Sequence, residues 1–398
     1  MNWLAQLLTE ETVGAISLGL LIFQGTSTLI LLSRLLKGPR RRPPLQPLHP
    51  TPDLFGAVSV VVPTLNEAER ITPALEGLTR QSYEVREIII VDSNSQDGTQ
   101  EKVKAAAIFD PRFRLITDDP LPPGWVGRPW ALHNGFLNSS QKSEWILGID
   151  ADTLPQPGLV ASIVQAATEE GYDLVSLSPQ FILKYPGEWW LQPALLMTLL
   201  YRFDSAGVKN QTPERVMANG QCFLTRRQVL ERLGGYESAA QSFCDDVTLA
   251  RYAAACGYQV GFLDGAQVLK VRMYEGVLQT WQEWGRSLDL KDASNPAQLF
   301  HDLWLLLTTQ GLPIPLSVIL ISLLPGYTCL TLMAAIGLNL FLVAIRIGLL
   351  WAIAPSYHPS NSPASFFFWL SPLADPLAVL RIFLSATHKP TSWRGRIY

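Results

Sequence analysis

Three times along this chain a run of apolar residues stops abruptly: Val58-Ser59-Val60-Val61-Val62 on Pro63, Ile88-Ile89-Ile90-Val91 on Asp92, and Trp145-Ile146-Leu147-Gly148-Ile149 on Asp150. Short, non-alternating runs of this kind suit strands covered on both faces, which is the situation of a parallel sheet flanked by helices. After the first run, Ile71, Leu75 and Leu78 recur at helical spacing, and after the second Asp97-Gly98-Thr99 opens another helix. Two β-α units in succession predict an α/β fold on a doubly wound, mostly parallel sheet, with Arg114-Leu115-Ile116-Thr117 as a third strand and Trp145–Ile149 as a fourth. In an open sheet of this type ligands collect outside the carboxyl ends of the strands. Asp150-Ala151-Asp152 therefore stands where an acidic pair can meet a diphosphate through a divalent cation. The competing reading is a solvated loop that caps the next helix.

Of the 398 residues, 48% are hydrophobic and only 16% charged, against a usual charged share of about 25%. The apolar surplus gathers at the two ends and leaves Ala57 to Arg286 reading as one soluble domain. The formal charge of 31 − 34 = −3 carries no basic footprint, which argues against a nucleic-acid partner. Cys222, Cys244, Cys256 and Cys329 have neither C-x-x-C nor zinc-finger spacing and read as reduced structural thiols.

Val13 to Leu36 is long and apolar enough to cross a hydrocarbon core of about 30 Å. The basic residues Arg34, Lys37, Arg40, Arg41 and Arg42 come after this run, which disfavours a cleaved signal peptide and places the chain beyond Leu36 on the cytoplasmic side. The expected organisation is a transmembrane segment over 1–38, a Pro/Arg-rich extended linker over 39–56, the α/β domain over 57–300, hydrophobic transmembrane or interfacial helices over 301–386 and a basic tail over 387–398. Tyr185 to Phe203, with Trp189 and Trp190, fits either a core helix or a helix at the lipid interface. Beyond Asp302 come apolar stretches from about Leu303 to Leu324, Tyr327 to Ile353 and Ala364 to Ala386. Asp375-Pro376 and Arg381 make the third an interfacial or re-entrant segment rather than a crossing, because charge at mid-bilayer is costly. That keeps Lys389, Arg394 and Arg396 on the inner side.

Pro63-Thr64-Leu65-Asn66-Glu67, Val91-Asp92-Ser93-Asn94-Ser95-Gln96-Asp97-Gly98-Thr99, Gly127-Arg128-Pro129-Trp130-Ala131-Leu132 and Asp150-Ala151-Asp152, in this order, resemble the motifs of family 2 glycosyltransferases with a GT-A fold. The hydrophobic flanks resemble the membrane-bound, lipid-directed branch, and Leu121-Pro122-Pro123-Gly124-Trp125 with the terminal Trp393-Arg394-Gly395-Arg396-Ile397-Tyr398 looks most like carotenoid and hopanoid-associated members.

The resemblance implies a nucleotide-sugar donor lined by Pro63, Thr64, Asn66 and Glu67, with Asp92 accepting a hydrogen bond from the base. Helix N-capping is the competing duty of Asn66 and Asp97. Arg128 stands where the family often has lysine and supplies a fixed cation near the diphosphate, unless it is a surface arginine beside a turn. Mg²⁺ or Mn²⁺ is bound directly by Asp152, with Asp150 on the ribose or on the metal through water.

Ser242-Phe243-Cys244-Asp245-Asp246-Val247 resembles the family's Glu-Asp element, which makes Asp246 the general base of an inverting displacement, against the competing duty of an N-cap for the helix Val247 to Cys256, and leaves Asp245, on the acceptor side, a helix-capping role. Asn219-Gly220-Gln221, Arg226-Arg227 and Gly234-Gly235-Tyr236 resemble the acceptor-side segment. Trp284 and Arg286, in Gln279-Thr280-Trp281-Gln282-Glu283-Trp284-Gly285-Arg286, depart from the Gln-x-x-Arg-Trp order of processive synthases but remain candidates to close over the donor. His133 reads as a hydrogen-bonded structural residue.

Together these features describe a multi-pass membrane enzyme with a cytoplasmic catalytic domain, moving a sugar to a membrane lipid such as a carotenoid, a hopanoid or another membrane alcohol. The alternatives are a processive polysaccharide synthase and a non-catalytic, nucleotide-binding membrane scaffold.

Overall fold

A computed structural model describes residues 9–209, 212–285, 288, 290–387, 392–393 and 396–397. Ten strands build the α/β unit: β1 (Val58–Thr64), β2 (Val85–Asp92), β3 (Phe113–Thr117), β4 (Trp145–Ile149), β5 (Thr153–Pro155), β6 (Leu174–Ser178), β7 (Gln180–Phe181), β8 (Cys222–Arg226), β9 (Val260–Asp264) and β10 (Leu269–Val271). Seven of them form one sheet in the order β3-β2-β1-β4-β8-β6-β9, and β5-β10-β7 form a small second sheet. β1 pairs parallel with β2 and β4, as the apolar runs predict, and β8 enters antiparallel between β4 and β6. Thr64, Asp92 and Thr117 lie in register across β1, β2 and β3. Val58 pairs with Trp145, so continuing that register brings Asp150 level with Pro63. The abrupt ends of three separate runs thus meet at one edge of the sheet.

The Pro-rich segment is no free spacer. Arg42 N–H donates to Gly207 O (2.8 Å), Leu45 N–H to Asp264 O (2.8 Å) and Leu48 N–H to Ser162 Oγ (3.0 Å), while Leu45 is buried in the core of the sheet. These bonds strap the segment along β9 and the helix Leu159–Glu170.

The N-terminal helix Glu10–Leu35 starts on Thr9, whose Oγ1 accepts from Thr12 N–H (3.2 Å), and has Glu10 and Glu11 in its first turn and Arg34 in its last. That charge order suits the helix dipole. It buries Ser17, Gln24, Ser27 and Thr28 and exposes Ile16, Leu18, Ile22, Phe23 and Leu29. Polar groups inside and apolar groups outside is the arrangement for lipid rather than water. Gln24 exchanges side-chain amide bonds with Asn339 (3.1 and 3.0 Å) on the helix Leu330–Ile353. These two are the helices long and apolar enough to cross a membrane among the described residues, and Pro296–Gly311 with Pro313–Leu323 adds a third if that pair, bent by 51°, is one span.

The last apolar stretch does not form one long helix. It breaks into short 3₁₀ turns at Pro363–Phe368 and Ser371–Ala374 before the helix Asp375–Thr387. Of the two readings of Tyr185 to Phe203, the structure adopts the core helix: Pro186–Arg202 buries Trp189, Leu191, Ala194, Leu195, Met197 and Tyr201 between the sheet unit and the C-terminal helices.

Asp375 is buried and held by Arg346 (2.7 and 3.1 Å) and Gln310 (3.0 Å). Arg346→Leu leaves that carboxylate without its cation, an expected cost of about 3–5 kcal/mol. Thermal unfolding in detergent should show a lowered midpoint, partly restored by adding Asp375→Asn. An unchanged midpoint in the single variant would show that the pair contributes nothing to stability.

Candidate active site

The loops that leave β1 and β2 are stitched to each other. Asp92, 1% exposed, accepts at Oδ1 from Ser95 N–H (2.9 Å) and Gln100 Nε2 (2.8 Å), and at Oδ2 from Ser95 Oγ (2.6 Å) and Thr64 Oγ1 (3.0 Å). Asn66 takes a left-handed backbone (φ 53°), donates its N–H to Ser95 Oγ (2.8 Å) and accepts from Gln96 N–H at Oδ1 (3.0 Å). It caps no helix, since the next one starts at Thr72. Asp97 accepts from Thr99 N–H (3.1 Å) and Ala68 N–H (2.8 Å), serving the helix start and the first loop at once. Of this group Pro63 and Glu67 line a cavity of about 460 Å³, and Thr64, Asn66 and Asp92 are not among its lining residues.

Arg128, on the helix Gly127–Leu137, occupies the middle of the cavity's polar half. Its Nε and Nη2 donate to Asp150 Oδ1 (3.0 and 2.9 Å), its Nη2 to Gly220 O (2.7 Å) and its Nη1 to Asp245 Oδ2 in a short ion pair. It is therefore neither a surface arginine nor, in this arrangement, a cation free to face a diphosphate. It pins the acid after β4 to the acid that opens the helix Asp245–Ala255. Gly220 is confined by it, because a Cβ there would lie 2.5 Å from Nη2.

The same Gly220 donates its N–H to Asp246 Oδ2 (2.6 Å), and Val247 N–H donates to Asp246 Oδ1 (2.9 Å). The capping role expected of Asp245 is not what the structure has. Cys244 is the N-cap, without a side-chain bond, and Asp245 is a buried ion-pair partner in the first turn, where acids also suit the helix dipole. Burial raises Asp245 to about 6, despite the opposing pull of Arg128, and burial likewise raises Asp246. Arg128 is pushed up in turn by Asp150, Asp245 and Asp246, which outweigh its own burial.

Asp150, Asp152, Asp245 and Asp246 thus face a single arginine among the described lining residues. No group of three His, Cys, Asp or Glu side chains among the described residues could hold a metal unaided. Asp150 and Asp152 nonetheless fit a divalent ion whose remaining ligands come from phosphate oxygens, because Mg²⁺ is commonly held by one or two carboxylates and a substrate.

The opposite half of the cavity is apolar: Phe181, Leu196, Leu199, Phe262, Met273 and Trp284 line it, and Trp284 packs on Phe181 with ring centres 5.7 Å apart. Asn219 and Gln221 also line the cavity, bonded to each other (3.2 and 3.0 Å). Only Trp284 of the apolar wall is legible in the sequence as a site residue. The others come from separate elements, and Leu196 and Leu199, spaced by about one helical turn, are the nearest thing to a signal.

Arg286 lies outside the described residues. Arg226 and Arg227 are not on the acceptor side. Arg226 stacks over Trp145 (4.2 Å) and Arg227 donates to Ser143 O (2.8 Å), both at the amino end of β4. His133 accepts from Tyr236 N–H (3.3 Å) and stacks on Trp130, and burial lowers its pKa.

An open, mostly parallel sheet with an acidic cavity at its carboxyl edge is the architecture of the GT-A glycosyltransferases. Residues 59–234 match the glycosyl transferase family 2 model, and the chain carries a family 2 glycosyltransferase domain. The 4,4'-diaponeurosporenoate glycosyltransferase of Staphylococcus haemolyticus is 25% identical over 237 residues, which cover 58% of this chain and 61% of that protein. The enzyme of the same name from Staphylococcus aureus is 23% identical over 295 residues, 72% of this chain and 71% of its own length. This chain thus spans about three fifths of the first relative. Among solved structures, the mannosyltransferase PcManGT of Pyrobaculum calidifontis, in complex with GDP-Man and Mn²⁺, has a TM-score of 0.53 at 20% identity and covers 94% of this chain and 98% of its own. At that identity the likeness concerns the fold.

Proposed function

We propose that this protein transfers a sugar from a nucleotide-sugar donor to the hydroxyl of a membrane lipid, with inversion at the anomeric carbon, and that the lipid is of the carotenoid type. The observation that carries the reading is the division of one cavity into an acidic half and an apolar half, the second built on the helix that packs against the membrane-length helices. The relatives named for a carotenoid acid support the choice of acceptor. The basic run after the first helix supports a cytoplasmic active site.

In this reading the donor lies along Pro63 and Glu67, with Thr64, Asn66 and Asp92 fixing the loops beneath it. Asp150 and Asp152 would hold Mg²⁺ or Mn²⁺, which when bound supplies Lewis-acid stabilisation of the leaving diphosphate. Asp246 takes the proton of the acceptor hydroxyl as that oxygen attacks the anomeric carbon and the bond to the diphosphate breaks. The N–H groups of Gly220 and Val247 hold the carboxylate in orientation, and Arg128 keeps Gly220 in place through its carbonyl. The apolar wall excludes water, which would otherwise compete as acceptor.

The test is to reconstitute the protein in lipid nanodiscs with Mn²⁺, a panel of nucleotide sugars and a pigment and lipid extract, and to search for a lipid that has gained one hexose or deoxyhexose. Nucleotide release with no glycosylated lipid from any donor would sink the acceptor assignment.

A further inference from the structure

A charged side chain in an apolar helix needs compensation, and Arg381 finds it in the wall of the cavity. Its Nε donates to Trp281 O (2.7 Å), its Nη2 to Gln282 O (3.2 Å) and its Nη1 to Ser385 Oγ (3.0 Å), which itself donates to Gly285 O (2.5 Å). These carbonyls lie at the end of the helix Gly276–Gln279 as it runs through the π-helical turn Thr280–Trp284. The last carbonyls of a helix have no partner within it, and a cation is favoured there. Arg381 thus caps one helix from another. The fit is close: a Cβ on Gly285 would lie 2.4 Å from Arg381 Cγ.

The capped segment lines the cavity through Gln279, Glu283 and Trp284. Its other end is tied to the helix Pro186–Arg202, where Gly276 N–H donates to the buried Glu188 (2.7 Å). The wall therefore hangs between two supports, one on that helix and one on the helix Asp375–Thr387. That second support buries Ala378, Val379, Ile382 and Ser385 and exposes Leu377, Leu380 and Leu384, in line with the exposed Leu373 before it. This uncharged stripe continues into Trp369, whose ring meets Trp351 (4.6 Å) at the end of the membrane-length helix Leu330–Ile353. One hydrocarbon phase would cover both, with the tryptophans at its margin.

We propose that the helix Asp375–Thr387 is a lipid-seated brace for the acceptor-side wall, that Arg381 is its positioning residue, and that a bilayer surface is the partner that seats it. The kinetic consequences rest on the transfer reaction proposed above, whereas the brace itself does not.

Two arms keep these apart. In full-length protein in nanodiscs of phosphatidylethanolamine and phosphatidylglycerol, Arg381→Gln should speed amide exchange over residues 280–285, read by mass spectrometry, by roughly tenfold. Gly285→Ala, which displaces the same guanidinium, should do likewise, and Arg381→Lys should recover part of the protection. Transferring the unaltered protein to a detergent micelle should loosen the same peptides. In the second arm Arg381→Gln should raise the acceptor KM about tenfold, leave the donor KM within about twofold and increase donor hydrolysis. Unchanged exchange at 280–285 in Arg381→Gln overturns the brace whatever transfer does, and unchanged exchange in detergent overturns the role of the bilayer. Absence of any glycosylated lipid from the unaltered protein defeats the proposed function and leaves the exchange arm to decide on the brace.

Discussion

Asp246→Asn is expected to lower transfer by roughly 10²–10⁴ while leaving nucleotide-sugar binding within about twofold, because it removes a base and little else. The asparagine carbonyl can still accept from Gly220 N–H or Val247 N–H, the two contacts that orient the aspartate. Burial holds a proton on Asp246 to higher pH than on an ordinary carboxylate, and Asp245, raised to about 6, lies beside it. The base must be ionised to act. Transfer by the unaltered enzyme should therefore fall as pH drops, on a limb displaced to higher pH than an ordinary aspartate would give. The check is a set of transfer rates across that limb beside calorimetric donor titrations for both proteins. Undiminished transfer by the variant would remove Asp246 from the reaction.

The core of the fold is legible because its signal is local. The runs ending at Pro63, Asp92 and Asp150 carry both strand type and strand end within a few residues, and parallel pairing then brings those ends together. The antiparallel entry of β8 has no such signature, since the short run Cys222–Arg226 does not reveal its direction. Asp245 is legible as an acid at a helix start, but its partner Arg128 lies 117 residues away, and no spacing rule connects the two. Arg226 and Arg227 show the opposite failure. Motif order fixes sequence position but not which end of a strand a residue occupies, and these two follow β8 down to the amino end of β4, away from the cavity. Arg381 reads in the sequence only as a charge too costly for mid-bilayer. Its bonds to Trp281 and Gln282 supply the reason it is tolerated.

Asp152→Ala is expected to abolish the metal response together with most of the activity, since loss of Lewis-acid stabilisation of the leaving group is worth several kcal/mol. Asp152 is the sharper probe of the acidic pair. Asp150 also anchors Arg128 through two bonds (3.0 and 2.9 Å), so replacing it would loosen the guanidinium that also holds Asp245 and the Gly220 carbonyl. Its variant would lose activity whether or not a metal is involved. The ion pairs of Arg128 run to Asp150 and Asp245, and both partners stay in place when Asp152 is replaced. The decisive measurement is nucleotide diphosphate affinity with and without Mn²⁺. In the unaltered protein the ion should tighten binding, because four aspartates facing one arginine repel a diphosphate unless a further cation intervenes. In Asp152→Ala the affinity should be low and indifferent to Mn²⁺. A variant that still gains affinity with the ion would move the metal away from Asp152 and on to other carboxylates of the cavity.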